Sequence, residues 1–132
     1  MAQPPPPQGP PMFGPMALLA LARDNKADEI ELAVQRGHPV ELCNQMGQTA
    51  LHIAALWGNL ESIETLVRLG ADPNTENVRG ATALHMAAAA KKNAKAACEL
   101  LLKLGADKEI YDVTGRQPYE HADQDDVRVL LD

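Results

Sequence analysis

The chain has 132 residues, one domain's worth, with 45% apolar, 23% charged and only 3% aromatic side chains. A net charge of −6 argues against a general nucleic-acid surface, and no apolar run approaches the ~18–20 residues that span a bilayer. Two cysteines, Cys43 and Cys98, are too few for a disulfide framework or an all-cysteine zinc site, and the abundance of Ala and Leu favours closely packed helices.

Residues 1–15 stand apart. They hold seven of the ten prolines and no charged side chain, so neither a helix nor a ladder is expected there. A polyproline II or disordered tail is the expected state. Its Pro4-x-x-Pro7 and Pro7-x-x-Pro10 spacings suit a groove-docking ligand, but no Arg or Lys flanks them, and a solvated spacer is the expected role. A secretory signal is not expected, because there is no basic leader and the following apolar stretch belongs to the pattern described next. A transit peptide is not expected either, for want of Arg and Ser. A reducing compartment with free thiols follows: the cytoplasm, with the nucleus open to so small a protein.

From Gly14 onward a period governs the chain. Gly47-Gln48-Thr49-Ala50-Leu51-His52-Ile53-Ala54-Ala55 recurs 33 residues later as Gly80-Ala81-Thr82-Ala83-Leu84-His85-Met86-Ala87-Ala88. Leu69-Gly70-Ala71-Asp72 recurs 35 residues later as Leu104-Gly105-Ala106-Asp107. Gly14, Gly37 and Gly115 fall on the same grid. Such spacing marks one supersecondary unit stacked several times. In the first unit, 17–22 reads as a short helix and 28–36 as a second, ended by Gly37. In the next, a helix over 50–56 is followed by a turn at Gly58-Asn59 and a helix over 60–69, whose Leu60, Ile63, Leu66 and Val67 share one face. Gly70 closes that helix, and 71–79 runs as an extended loop or hairpin. The third unit carries a two-residue insertion at 91–95. The last, from Gly115, has Pro118 at its helix start, Glu120 where the earlier units have a histidine, and a second helix over 125–131 that arrives about four residues early.

The Thr-Ala-Leu-His-x-Ala motif with the Leu-Gly-Ala-Asp hairpin entry resembles the ankyrin-repeat family over residues 14–132. Ala50 and Ala83 replace the family's usual proline, and alanine suits a helix start well. The resemblance implies an all-α solenoid of four stacked antiparallel helix pairs with projecting hairpin loops. Its repeats span about 14–46, 47–79, 80–114 and 115–132, after a tail over 1–15. Four repeats exceed the ~3 needed for stability, and the outer two read as caps, which leads to the expectation of a complete array.

Several side chains invite chemistry. His52 and His85 occupy identical repeat positions, and the resemblance implies that this histidine hydrogen-bonds within and between turns rather than ligating metal. Thr49 and Thr82 precede helices, where a hydroxyl caps backbone N–H groups. No nucleophile elbow, phosphate loop or metalloprotease motif occurs. No catalytic, cofactor or metal site is therefore expected; stoichiometric zinc in purified material would revive that remote alternative. Cys98 aligns with Ile63 on an inward stripe and reads as a small buried hydrophobe, whereas Cys43 lies in a loop and is the better candidate for a labile thiol.

The resemblance further implies a protein-binding module whose concave face, built from first helices and loop tips, holds the partner. The candidate residues are Gln45, Met46, Gln48, Leu56 and Trp57, then Val78, Arg79, Ala81, Ala89 and Ala90, then Val113, Thr114 and Arg116. Trp57 either anchors a partner or lies flat to seal the neighbouring repeat. Residues 76–103 carry five basic against two acidic groups, a basic island between acidic ends. It either solubilises an alanine-rich helix or faces an acidic partner. An adaptor, inhibitor or assembly factor is expected, monomeric alone and binding neither nucleic acid nor membrane. A stoichiometric regulator that occludes an enzyme is the alternative.

Overall fold

In a computed structural model that describes residues 16–132, the glycine period becomes an alternation of short helices and projecting turns. The proline-rich segment 1–15 and its PxxP spacings lie outside the described residues. Three helix pairs follow in order: α1 (Ala17–Arg23) with α2 (Ala27–Gln35), α3 (Ala50–Leu56) with α4 (Leu60–Arg68), and α5 (Ala83–Ala88) with α6 (Ala94–Lys103). The fourth unit pairs a 3-10 turn, Pro118–His121, with α7 (Asp125–Leu131). The first helices and the 3-10 turn pack side by side as one layer, α1 on α3 on α5 on the turn. The second helices α2, α4, α6 and α7 form the other.

The core repeats with the sequence. Leu18, Leu51 and Leu84 sit at matching positions of the first layer, and Ile30, Ile63 and Cys98 at matching positions of the second, all buried. Ala33, Leu66 and Leu101 complete the second-layer stripe. Ala22, Ala55 and Ala88 are buried in register along the first layer, where a side chain of one carbon lets neighbouring helices approach closely. These short helices gain little from propensity alone and owe their stability to this packing.

Two devices set the turns. After α4, Gly70 takes φ +114°, its N–H reaches the Val67 carbonyl at 3.0 Å, and the Ala71 N–H reaches Leu66 at 2.9 Å. This pair satisfies carbonyls that the helix end would leave unpartnered. Between α3 and α4, Gly58 takes φ +66°, and a Cβ there would lie 1.9 Å from the Lys92 carbonyl oxygen of the next unit. Asn25 and Asn93 hold the same left-handed conformation in the flanking units, at φ 56° and 58°. Asn is among the few side chains that tolerate it.

The loops between units end in tight turns. At Asn77–Ala81 the Asn77 N–H donates to the Ala81 carbonyl (2.9 Å) and the Gly80 N–H to the Asn77 carbonyl (2.9 Å). The same closure recurs at Asn44–Gln48 and Asp112–Arg116. Successive turns are joined by backbone: Val78 N–H to the Met46 carbonyl at 3.0 Å, and Val113 N–H to the Arg79 carbonyl at 2.8 Å. One isolated bridge, Cys43 with Thr49, is the nearest approach to a strand among the described residues.

The fourth unit departs from the expected helix pair. Early arrival of α7 leaves room for a single 3-10 turn, which Pro118 opens and Ala122, extended at φ −80° and ψ 130°, ends. The insertion differs too. Lys91 and Lys92 lie in the linker after α5, while Lys95 sits in the first turn of α6, where the helix dipole disfavours a cation.

Candidate functional site

The turn tips and the C-terminal ends of the first helices converge on one face. Trp57 terminates α3 and is 51% exposed, with Leu56 at 38% beside it. The tips add Met46, Val78 and Val113, large apolar side chains left exposed at 48%, 60% and 71%. Gln45, Arg79, Thr114 and Arg116 are exposed at the same tips, while Gln48 and Ala89 are half-buried. Ala81 and Ala90 differ: both are buried, at 5% and 7% exposure. Ala81 is covered because its carbonyl accepts from His52 across the repeat boundary, and Ala90 belongs to the packed core after α5.

His52 and His85 do the same work in successive units. The Thr49 N–H donates to His52 Nδ1 at 3.1 Å, so Nε2 carries the proton and donates to the Ala81 carbonyl at 3.0 Å. For His85 the partners are the Thr82 N–H at 3.1 Å and the Arg116 carbonyl at 3.0 Å. Each imidazole thus joins the start of its own helix to the finger of the next unit. Burial pushes both pKa values below the ordinary histidine range, against the opposing pull of the carbonyl bonds. Both rings are neutral near pH 7.

One cluster was not legible in the repeat pattern. His85, Asp112 and His121 bring ligand-type atoms within 4.8 Å of one another, and the two imidazoles meet edge-on with centroids 5.4 Å apart. Asp112 fills the finger position that Asn44 and Asn77 fill earlier, and its Oδ1 accepts the N–H groups of Thr114 (2.9 Å) and Arg116 (3.1 Å) and the Thr114 hydroxyl (2.6 Å). Its Oδ2 accepts from His121 Nε2 at 2.7 Å. Burial alone would raise the Asp112 pKa, but the bonds from Thr114, Arg116 and His121 outweigh it and hold the carboxyl well below the usual range. The geometry does not favour a cation. His85 has its Nε2–H on a carbonyl and its Nδ1 on an N–H, so it offers no lone pair without breaking a bond that His52 also makes. The signal available in the sequence was an Asp in the Asn position with a histidine nine residues on.

Cys98 is buried as expected, and burial raises its thiol pKa to about 12, so almost no thiolate forms. Cys43 is exposed. Among the described residues, no helix is long and apolar enough to cross a membrane.

Two family models match the chain. One describes ankyrin repeats in three copies and covers residues 5–77; the other describes ankyrin repeats in many copies and covers residues 66–122. A comparison with curated proteins returned no match. Repeats in register, neutral histidines tying one unit to the next and both matches agree: the chain belongs to the ankyrin-repeat family.

Proposed function

We propose that the chain is a non-enzymatic adaptor, inhibitor or assembly factor that holds a partner protein on the face shared by the turn tips and first-helix ends. Ankyrin repeats are generally protein–protein interaction modules, and the observation that carries the reading to this face is Trp57. Trp57 is half exposed beside exposed Leu56 and stands outside the buried core. Tryptophan is the side chain most enriched among interface hot spots. The backbone bonds between successive tips preform the surface, which lowers the ordering entropy that opposes binding.

Affinity capture from cell extract tests the reading with three chains: wild type, Trp57→Ala, and Leu32→Ala on the second-helix layer. Leu32 is exposed too, at 39%. Trp57→Ala retains its far-UV helicity and loses at least about tenfold of the captured partner, a hot-spot cost of about 1.4 kcal/mol or more. Leu32→Ala captures as well as wild type. Equal loss from both variants, or none from Trp57→Ala, contradicts the assignment of the face.

A further inference from the structure

Trp57 does not stand on an isolated patch. Leu56, Trp57, Ala89, Lys91 and Lys92 line a cleft of about 480 Å³, and a second cleft of about 290 Å³ runs on toward Arg79 and Arg116. Leu56 and Ala89 wall both clefts, so the two make one furrow across the second and third units with basic groups at either end. Among the described residues, the side chains of Arg79, Lys91 and Arg116 form no ion pair. The Lys92 ammonium has only a long 3.4 Å contact with Asn59 Oδ1. The carboxylate that lines the furrow, Asp112, has its oxygens committed to Thr114, Arg116 and His121, and its side chain is 6% exposed. The furrow is therefore apolar around Leu56, Trp57 and Ala89, with Lys91 and Lys92 beside them, and more polar in the second cleft, which carries Arg79 and Arg116, on a molecule whose net charge is −6.

We infer that this furrow receives an acidic peptide segment of the partner carrying one large apolar side chain. This inference rests on the protein-binding reading above and adds the chemistry of what is bound. The apolar anchor occupies the cleft between Trp57, Leu56 and Ala89, where its burial removes water from a ring otherwise half exposed. Carboxylates on one side of the anchor meet Lys91 and Lys92, and those on the other meet Arg79 and Arg116. The furrow's four cations outnumber its one carboxylate, Asp112, whose oxygens are already hydrogen-bonded, so charge complementarity selects an acidic segment and repels a basic one. Because the chain is otherwise acidic, the field that steers such a segment is local to the furrow, and salt weakens it over about a Debye length.

The test is a random dodecapeptide library on phage, panned on the full chain, with selected peptides remeasured by fluorescence anisotropy. The expected selection is rich in Asp and Glu around a Leu, Phe or Trp. Those peptides bind Trp57→Ala and the double variant Lys91→Glu/Lys92→Glu at least about tenfold more weakly than wild type, and weaken as salt rises from about 50 to about 500 mM. Circular dichroism confirms that both variants stay folded. Selected peptides that are neutral or basic yet still depend on Trp57 overturn the acidic assignment and leave the protein-binding reading of the face intact. Selected peptides that bind Trp57→Ala as tightly as wild type overturn both. No enrichment overturns the peptide inference, and the capture experiment then decides the wider reading. Displacement of an acidic peptide by a single-stranded RNA dodecamer at equal concentration also overturns it, by assigning the basic ends to phosphate.

Discussion

Asp112 stands where Asn44 and Asn77 stand in the preceding units, and all three side-chain oxygens receive the same pair of backbone N–H groups. The exchange of amide for carboxylate brings a buried charge, and His121 Nε2 lies within hydrogen-bond distance of it at 2.7 Å. Asp112 binds its proton less readily in the folded chain than in the unfolded one. Its contribution is fully present above the unfolded aspartate value near ~4 and is lost as pH falls through the folded value. His52 and His85 act in the same direction from a higher pH. Their folded values are depressed, so below the unfolded histidine value of ~6.5 the unfolded chain takes up protons that the folded chain refuses. Urea midpoints are expected to be level between pH 7 and 8, to fall below about pH 6.5, and to fall again below about pH 4. Asp112→Asn keeps the turn bonds and shrinks the lower fall, part of which Asp24 beside Arg23 retains; a midpoint still dropping below pH 4 to the same extent contradicts the assignment. The thiols offer a second check at this scale. With its pKa near 12 and no exposure, Cys98 resists iodoacetamide in the folded chain while Cys43 is labelled, and Cys98 reacts only on unfolding. Equal labelling of both in the native state would show that the α4–α6 packing is open.

At the scale of elements, the starts of α3 and α5 and the α3–α4 turn hold the units together. Thr49→Ala removes the hydroxyl that accepts from the His52 N–H at a helix start, at a cost of about 1 kcal/mol in thermal or urea unfolding. Gly58→Ala meets both a left-handed backbone and the Lys92 carbonyl, and costs about 2 kcal/mol or more, or a Tm lower by ~8 °C. Gly58→Asn separates the two causes. Asn25 and Asn93 tolerate that backbone, so a loss equal to that of Gly58→Ala assigns the cost to the Cβ contact, and a much smaller loss assigns it to φ. These elements were legible in the sequence to differing degrees, for physical reasons. The helix over 50–56 and the helix over 125–131 could be read because apolar spacing and flanking turn residues are local. The 3-10 turn could not: Pro118 marks a helix start, but its length was set by how soon α7 must return to pack on α6. The bonds between fingers, Val78 to Met46 and Val113 to Arg79, involve only backbone atoms and leave no residue signature. The exposure of Trp57 could be expected from an inward stripe of Leu51, Ile53 and Ala54, of which Ile53 is only partly buried, whereas the burial of Ala81 depends on the fingertip being drawn against His52, a contact between units.

For the molecule as a whole, stability passes between neighbours, since among the described residues the main helix packing lies within a unit or between adjacent units. Opening is therefore expected to be easiest toward the fourth unit, where α7 rests on α6 and the short 3-10 turn and leaves Val129 77% exposed. Native-state hydrogen exchange should show lower protection in α7 than in α4, and the reverse order would contradict a nearest-neighbour stack. The same stacking leaves Trp57, Met46, Val78 and Val113 exposed on the face that we propose receives a partner. The most direct measurement of that claim is hydrogen exchange of the full chain with and without its captured partner. Slowed exchange at the finger tips 45–48 and 78–81 and at the α3 end around Leu56 and Trp57, with α2 and α4 unchanged, is the predicted result. Slowing confined to the second-helix layer, with the Trp57 face exchanging as in the free chain, would contradict it.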